Sequence, residues 1–413
     1  MKKTQLLLAA PTFYPFFGGA EMRFRKYLPL LRDYGVESSV FTGTPKAKKI
    51  SEDHKKEPWY TVGYGEELPT ESYEDIEIVR YRLPEKPRSK RLDVYHQKLR
   101  ENICTRYKDT DVIQFLSPFS ESTLETFRYA KENNIATVAA CTLAKKPHPN
   151  IVKRIINNYQ TKKIFSSCDC VVVSSEEMKE YLCDLGVRNR IEIIANGVDT
   201  QAYQPVNNPA EKNAIRKKLG IDSRKKVLLN VGSVHPRKGT ELLLGAFQMM
   251  SQERDDIELY VAGSRIDMVD NSLKEFHQKI NKFISKPSLN GNVHFLGLVD
   301  NVNEYMKVAD VFLFPSREEG MGNVVMEAMA SGLPVVVTPY LGFPSIFGKK
   351  DKHYLLADFD EQSIVNSVNQ LFDNRLICEN MISNAMKNVK DNLSVVRSVG
   401  EFSELYSRLN TNN

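Results

Sequence analysis

The chain has 413 residues, 41% hydrophobic and 26% charged, with a formal net charge of +5. That length exceeds what one core supports and suggests two domains of about 200 residues each, while no apolar run reaches the roughly 18 residues that a membrane-spanning helix needs. The six cysteines lack zinc or redox spacing: Cys168 and Cys170 flank a single Asp, and no second pair completes a metal site.

The first residues, Met-Lys-Lys-Thr-Gln-Leu-Leu-Leu-Ala-Ala-Pro, imitate a signal peptide. The apolar stretch covers only positions 6–10, shorter than the ~7–15 residues of a signal core, so the segment reads as a buried first strand over 5–10. Further short, β-branched runs predict strands over 37–42, 76–80, 112–115, 137–140, 171–174 and 191–195, then over 227–231, 259–262, 293–296, 311–315 and 335–338. Their near-continuous hydrophobicity suits parallel sheets covered on both faces, with helices as the crossovers. One such helix is read over 242–250, where Leu243, Leu244, Phe247 and Met250 keep helical spacing. Positions 46–71 are polar and proline-bearing and read as a long loop. The turn at Asn196-Gly197-Val198-Asp199 and the linker-like stretch 204–210 place a domain boundary near 205, giving one α/β domain over 1–205 and another over 206–394. A last helix over 395–409 carries Val399, Phe402, Leu405, Tyr406 and Leu409 at helical spacing.

Charge is uneven: residues 1–200 hold 32 Lys and Arg against 27 Asp and Glu, and residues 201–413 hold 25 of each. Basic clusters occur at 46–49, 86–91, 145–146 and 162–163. Most such runs only solvate a surface. The functional reading is attraction to an anionic membrane or a phosphate-bearing acceptor; no nucleic-acid motif accompanies them.

Three loops beyond strand ends carry the chemistry. After the first strand, Gly18 and Gly19 precede a helix whose start offers backbone N–H groups. After the strand at 227–231 comes Gly232-Ser-Val-His235-Pro-Arg237-Lys238-Gly239, with two cations suited to a diphosphate. After the strand at 311–315 comes Glu319-Gly320-Met321-Gly322-Asn323, leading into a helical pattern that contains Glu327. Gly320 and Gly322 let backbone approach a ligand, and Met321 could pack on a sugar face. Each glutamate can accept two hydrogen bonds from a vicinal diol. The apolar neighbours Val324, Val325, Met326, Ala328 and Met329 imply that the helix of Glu327 is largely buried and that its carboxylate needs partners.

Taken together, Gly18-Gly19-Ala20-Glu21, Ser174-Ser175-Glu176, Asn196-Gly197-Val198-Asp199, Lys238-Gly239, Phe295-Leu296-Gly297, Ala309-Asp310, Glu319-Gly320 and Glu327-Ala-Met-Ala-Ser-Gly332 resemble the retaining, nucleotide-sugar-dependent glycosyltransferases of the GT-B fold, in the large group marked by Glu-x7-Glu, the fourth sequence family. The resemblance implies two doubly wound Rossmann-like domains facing across a cleft, with the 395–413 helix crossing back onto the first. It implies that Glu319 contacts the transferred sugar, Glu327 the donor ribose and Lys238 the leaving diphosphate. The amides near Gly19 and those from Gly320 to Asn323 would help hold diphosphate and sugar, and the stretch near Val299 would lie by the base. The substrate would be a UDP- or GDP-type sugar, used without metal or other cofactor. The acceptor would be a glycan, a lipid-linked species or a small molecule, at a cytoplasmic location or peripheral at the inner membrane face.

Three departures qualify the resemblance. Gly232-Ser233 stands where the family has Gly-Arg, which leaves Arg237 as the candidate replacement. No His occupies 111–118 or 138–143, where the family often places one near the sugar. Gly342-Phe-Pro-Ser345 lacks the family's glutamate. A non-catalytic nucleotide-sugar-binding scaffold and a GT-B epimerase or inverting transferase stay open at this point.

Overall fold

Strands buried on both faces need helices on both sides, and this chain meets that need twice. The computed structural model describes residues 3–14, 19–43, 71–82, 90–117, 119–141, 150–264, 273–286, 289 and 291–411. Gly18, the basic clusters at 46–49 and 145–146, and nearly all of the 46–71 loop lie outside the described residues. The chain divides into one unit formed by Met1–Gly197 with Val395–Asn413 and another formed by Val198–Ser394.

In the first unit, β1 (Thr4–Ala10), β2 (Val36–Gly43), β3 (Glu71–Tyr73), β4 (Ile76–Tyr81), β5 (Val112–Phe115), β6 (Ala136–Cys141), β7 (Cys170–Val173) and β8 (Arg190–Ile193) form one sheet in the order β3-β4-β2-β1-β5-β6-β7-β8. Every pairing is parallel except β3 with β4. Strand β3 was not expected. It joins β4 through Glu74 and Asp75, both at positive φ (48° and 64°), as a two-residue hairpin turn of mirror-image type requires. Asn-Gly would have announced such a turn, whereas Glu-Asp does not.

Helix α1 (Gly19–Leu31) packs against the C-terminal helix α13 (Val395–Asn410). The Phe402 ring lies 5.5 Å from that of Phe24 and 5.9 Å from that of Tyr27. Tyr406 donates its hydroxyl to Gln114 Oε1 at 3.0 Å, inside the sheet. All five apolar positions read from the sequence of this helix are in the core of the first unit. Cys168 and Cys170 are buried there, and burial pushes both thiols up to about 12, which makes them packing groups rather than reactive ones.

In the second unit, β9 (Lys226–Val231), β10 (Ile257–Ala262), β11 (Val293–Gly297), β12 (Val311–Phe314), β13 (Val335–Val337) and β14 (Leu355–Leu356) are all parallel, in the order β11-β10-β9-β12-β13-β14. Counted along the unit this is 3-2-1-4-5-6, the doubly wound nucleotide-binding order. In sheets of this order ligands bind where the winding reverses, which here is between β9 and β12. The boundary between the units falls at Gly197/Val198 rather than near 205. The Val198 N–H donates to Leu393 O at 2.8 Å, Val198 bridges Ser394, and Asn303 Nδ2 donates to Ala202 O at 3.3 Å, so positions 198–205 are tied into the second unit. The twelve expected strands are present with ends within two residues of those read from the sequence; β3 and β14 are additional.

Candidate functional site

The strands flanking the switch point deliver the two loops richest in chemistry. Beyond β9 the chain makes a 3-10 turn over Pro236–Lys238. His235 caps this turn, its Nδ1 accepting the Arg237 N–H at 3.0 Å. Gly239 follows at φ 69° and starts α7 (Thr240–Glu253). A Cβ on Gly239 would stand 1.9 Å from the Pro315 carbonyl oxygen at the end of β12, so only glycine permits both the left-handed turn and the close backbone approach. Gly239→Ala is expected to lower stability by about 2 kcal/mol or more. A variant with an unchanged denaturation midpoint would show that this approach is not made.

The loop beyond β12 is laced to its neighbours by backbone and hydroxyl bonds. The Arg317 N–H donates to Arg237 O at 2.9 Å, Thr338 Oγ1 donates to Ser316 O at 2.7 Å, and the Leu341 N–H donates to Arg317 O at 3.1 Å. This lacing holds a compact ionic cluster. Lys238 Nζ donates to Glu319 Oε1 at 2.6 Å, and Ser316 Oγ donates to the same oxygen at 2.5 Å. Arg237 Nη1 lies 3.5 Å from Glu319 Oε2 and donates to Glu318 O at 2.5 Å. Glu319 is only 8% exposed, and the Lys238 ammonium sits 5.4 Å from the centroid of the Phe314 ring. Burial pushes the Lys238 ammonium down from its ordinary value; Glu319 pulls it back up, Arg237 pushes it down, and the net direction is down. The Lys238 stem packs beside Gly232, where a Cβ would meet its Cδ at 3.5 Å. Arg237, the candidate for the missing cation, thus converges on the same glutamate as Lys238.

Gly320 continues the loop. Gly322, at φ 79°, caps α10 (Asn323–Ala330), and Tyr340 donates its hydroxyl to Met321 O at 2.7 Å. The left-handed glycine and this clamp turn Met321 inward. Its side chain is 3% exposed, so it packs inside the unit instead of presenting a surface to a sugar. Glu327 lies half-buried on α10 among buried Val325, Met326, Ala328 and Met329. The partner it needs is Tyr203: burial, then the charge and hydrogen bond of the Glu327 carboxylate, push the Tyr203 phenol up. Nothing in the sequence pointed to Tyr203, which follows a turn whose Asp199 Oδ1 accepts the Gln201 and Ala202 N–H groups.

Val299 lies just past β11, with β10 between that strand and β9. Gly19 opens α1 in the other unit, and among the described residues a Cβ there would meet nothing within 4 Å. The structure therefore brings Arg237, Lys238 and Glu319 into contact, while Glu327 is held separately by Tyr203.

Two family models cover the chain almost end to end: Glycosyltransferase Family 4 matches residues 17–202 and Glycosyl transferases group 1 matches residues 211–388. The chain belongs to the group 1, family 4 glycosyltransferases of GT-B fold. It is 26% identical over 251 residues to the lipopolysaccharide core biosynthesis mannosyltransferase LpsB of Rhizobium meliloti, over 60% of this chain and 68% of that one. It is 30% identical over 207 residues to the mannosylfructose-phosphate synthase of Agrobacterium fabrum, over 49% of this chain and 44% of that one. The match thus spans about half to two-thirds of these relatives' lengths. The structure of Anabaena HepE in complex with UDP and glucose shares the fold, with a TM-score of 0.75 at 18% identity, over 98% of this glycosyltransferase-family chain and 100% of HepE.

Proposed function

We propose that the chain transfers a hexose-type sugar, with retention of anomeric configuration, from a nucleoside diphosphate sugar of UDP or GDP type to an acceptor hydroxyl. The acceptor class is a cell-surface polysaccharide, lipid-linked glycan or glycolipid, met at the cytoplasmic face of a membrane. Family membership, together with relatives such as a lipopolysaccharide core mannosyltransferase and the UDP-bound HepE, supports this reading. The observation that carries it is the Lys238–Glu319–Arg237 cluster at the switch point.

The chemistry follows from competition within that cluster. A diphosphate offers Lys238 and Arg237 an anion in place of Glu319, and the released carboxylate can then accept hydroxyls of the sugar. Glu327, presented by α10, is assigned to the ribose diol, and the backbone from Gly320 to Asn323 to the diphosphate and sugar. The two cations stabilise charge developing on the leaving diphosphate, so transfer should proceed in the presence of a chelator. The leaving phosphate, on the same face as the acceptor, takes its proton. A glycosidase would need one of its two carboxyls as a proton donor, whereas Glu319 is paired with Lys238 and flanked by Arg237.

The test is transfer or donor hydrolysis across a panel of nucleotide sugars, with EDTA present and product configuration read by NMR. An inverted product, or no turnover with any donor while nucleotide still binds, would overturn the reading. A pH profile gives a sharper check on Lys238. Because its ammonium titrates below an ordinary lysine, kcat/KM should fall on the alkaline side earlier than a normal lysine predicts. Lys238→Arg keeps its charge at all accessible pH and should remove that limb while lowering the rate. An identical alkaline limb in both proteins would acquit Lys238.

A further inference from the structure

Helix α4 (Ile151–Phe165) in the first unit buries only Phe165. Ile151, Val152, Ile155, Ile156 and Tyr159 are 49–64% exposed, and they make up five of the ten large exposed hydrophobics among the described residues. At spacings i, i+1, i+4, i+5 and i+8 they share one face of the helix. Single exposed apolar residues are ordinary, but a contiguous stripe marks a binding surface.

The charges on the helix identify the occupant. Helix α4 carries Lys153, Arg154, Lys162 and Lys163, and no Asp or Glu. One of these, Lys163, meets Glu121 at 3.4 Å in a pair that is 43% and 82% exposed, which leaves its charge largely available to solvent. A second copy of this chain, meeting the same face about a two-fold axis, would set these cations against like charges. A helix with apolar residues on one face, cations around it and no acid fits the boundary between anionic headgroups and acyl chains. Fifteen residues with four cations can lie on a bilayer but cannot cross it.

We propose that α4 docks the protein onto an anionic lipid bilayer, laying Ile151, Val152, Ile155, Ile156 and Tyr159 into the interface with Lys153 and Arg154 toward lipid phosphates. This deepens the lipid-side acceptor reading above, but membrane docking is measured without any transfer step.

The test is sedimentation of the full chain with vesicles of phosphatidylcholine alone and of phosphatidylcholine with about 30% phosphatidylglycerol, at low and high salt. The expected result is binding that is roughly tenfold or more tighter on the anionic vesicles and weakened by salt. The pair Ile155→Asp with Tyr159→Asp, and separately Lys153→Glu with Arg154→Glu, should each lower binding by a similar factor. All four positions are exposed, so the variants should keep the wild-type melting temperature. Equal binding to both vesicle types, or variants that bind like wild type, overturns the proposal. So does a concentration-dependent dimer that the apolar substitutions abolish without any vesicle association. Stabilisation by nucleotide sugar is recorded in parallel, and its absence counts against the transferase reading alone.

Discussion

Glu319→Ala should lose most sugar transfer, on the order of 10²–10³-fold as for removal of one oriented transition-state contact, and yet bind a nucleoside diphosphate more tightly than wild type. Glu319 accepts from Lys238 at 2.6 Å and stands 3.5 Å from Arg237. A diphosphate must take those cations from it. Each charge-assisted hydrogen bond is worth about 1.5–3 kcal/mol, so the carboxylate acts as a built-in competitor. Removing it leaves Lys238 buried beside Arg237 without that carboxylate, which should lower the melting temperature of the free protein. A diphosphate then supplies the missing anion, so the rise in melting temperature on adding UDP or GDP should exceed that of wild type. Glu319→Gln keeps the shape and an acceptor for Ser316 while removing the charge, and should fall between the two. The account fails if nucleotide stabilises Glu319→Ala no more than wild type, or if turnover is unchanged.

The sequence carried the strands and much of the site because both are locally written. Apolar runs such as 6–10 and 311–314 are buried on both faces and need no partner to be recognised. The Glu-x7-Glu spacing and the glycines at 320 and 322 lie within one loop and one helix. The rest depends on contacts between distant positions. The sequence points Lys238 and Glu319 each to a ligand group, but their ion pair spans 81 positions and leaves no periodic mark. Tyr203 meets Glu327 from outside any motif. Met321 is turned inward by Tyr340, a residue of the next loop. The β3–β4 turn uses Glu74 and Asp75 at positive φ, where composition argues against a hairpin. In each case the decisive quantity is the tertiary partner rather than the local pattern.

The same principle governs the largest expected loss of stability, at Asp310. Arg216, 4% exposed on α6 (Pro209–Leu219), donates from Nε and Nη2 to Val308 O at 3.1 and 2.8 Å, from Nη1 to Lys225 O at 3.0 Å, and from Nη2 to Asp310 Oδ2 at 2.8 Å. Asp310 also accepts from Lys212 Nζ at 2.8 Å and from the Val227 N–H at 2.7 Å. One carboxylate therefore pins α6 to the starts of β9 and β12, the two strands that aim Lys238 and Glu319. Asp310→Ala would strip that partner from a buried guanidinium, a loss of about 3–5 kcal/mol, or roughly 6–20 °C in the melting temperature for a unit of this size. Adding Arg216→Met to that variant removes the stranded charge and should restore part of the loss. A double variant less stable than Asp310→Ala would contradict this explanation. Burial pushes the Asp310 carboxyl up, but Lys212, Arg216 and the Val227 N–H outweigh it and hold it below the ordinary Asp value of 3.8. Because the folded value lies below the unfolded one, its stabilisation is complete above that ordinary value and fades as pH falls through the folded one. Acid unfolding of Asp310→Ala should therefore show a shallower dependence on pH below the ordinary carboxylate range than wild type, and parallel acid limbs would rule the carboxylate out as a contributor.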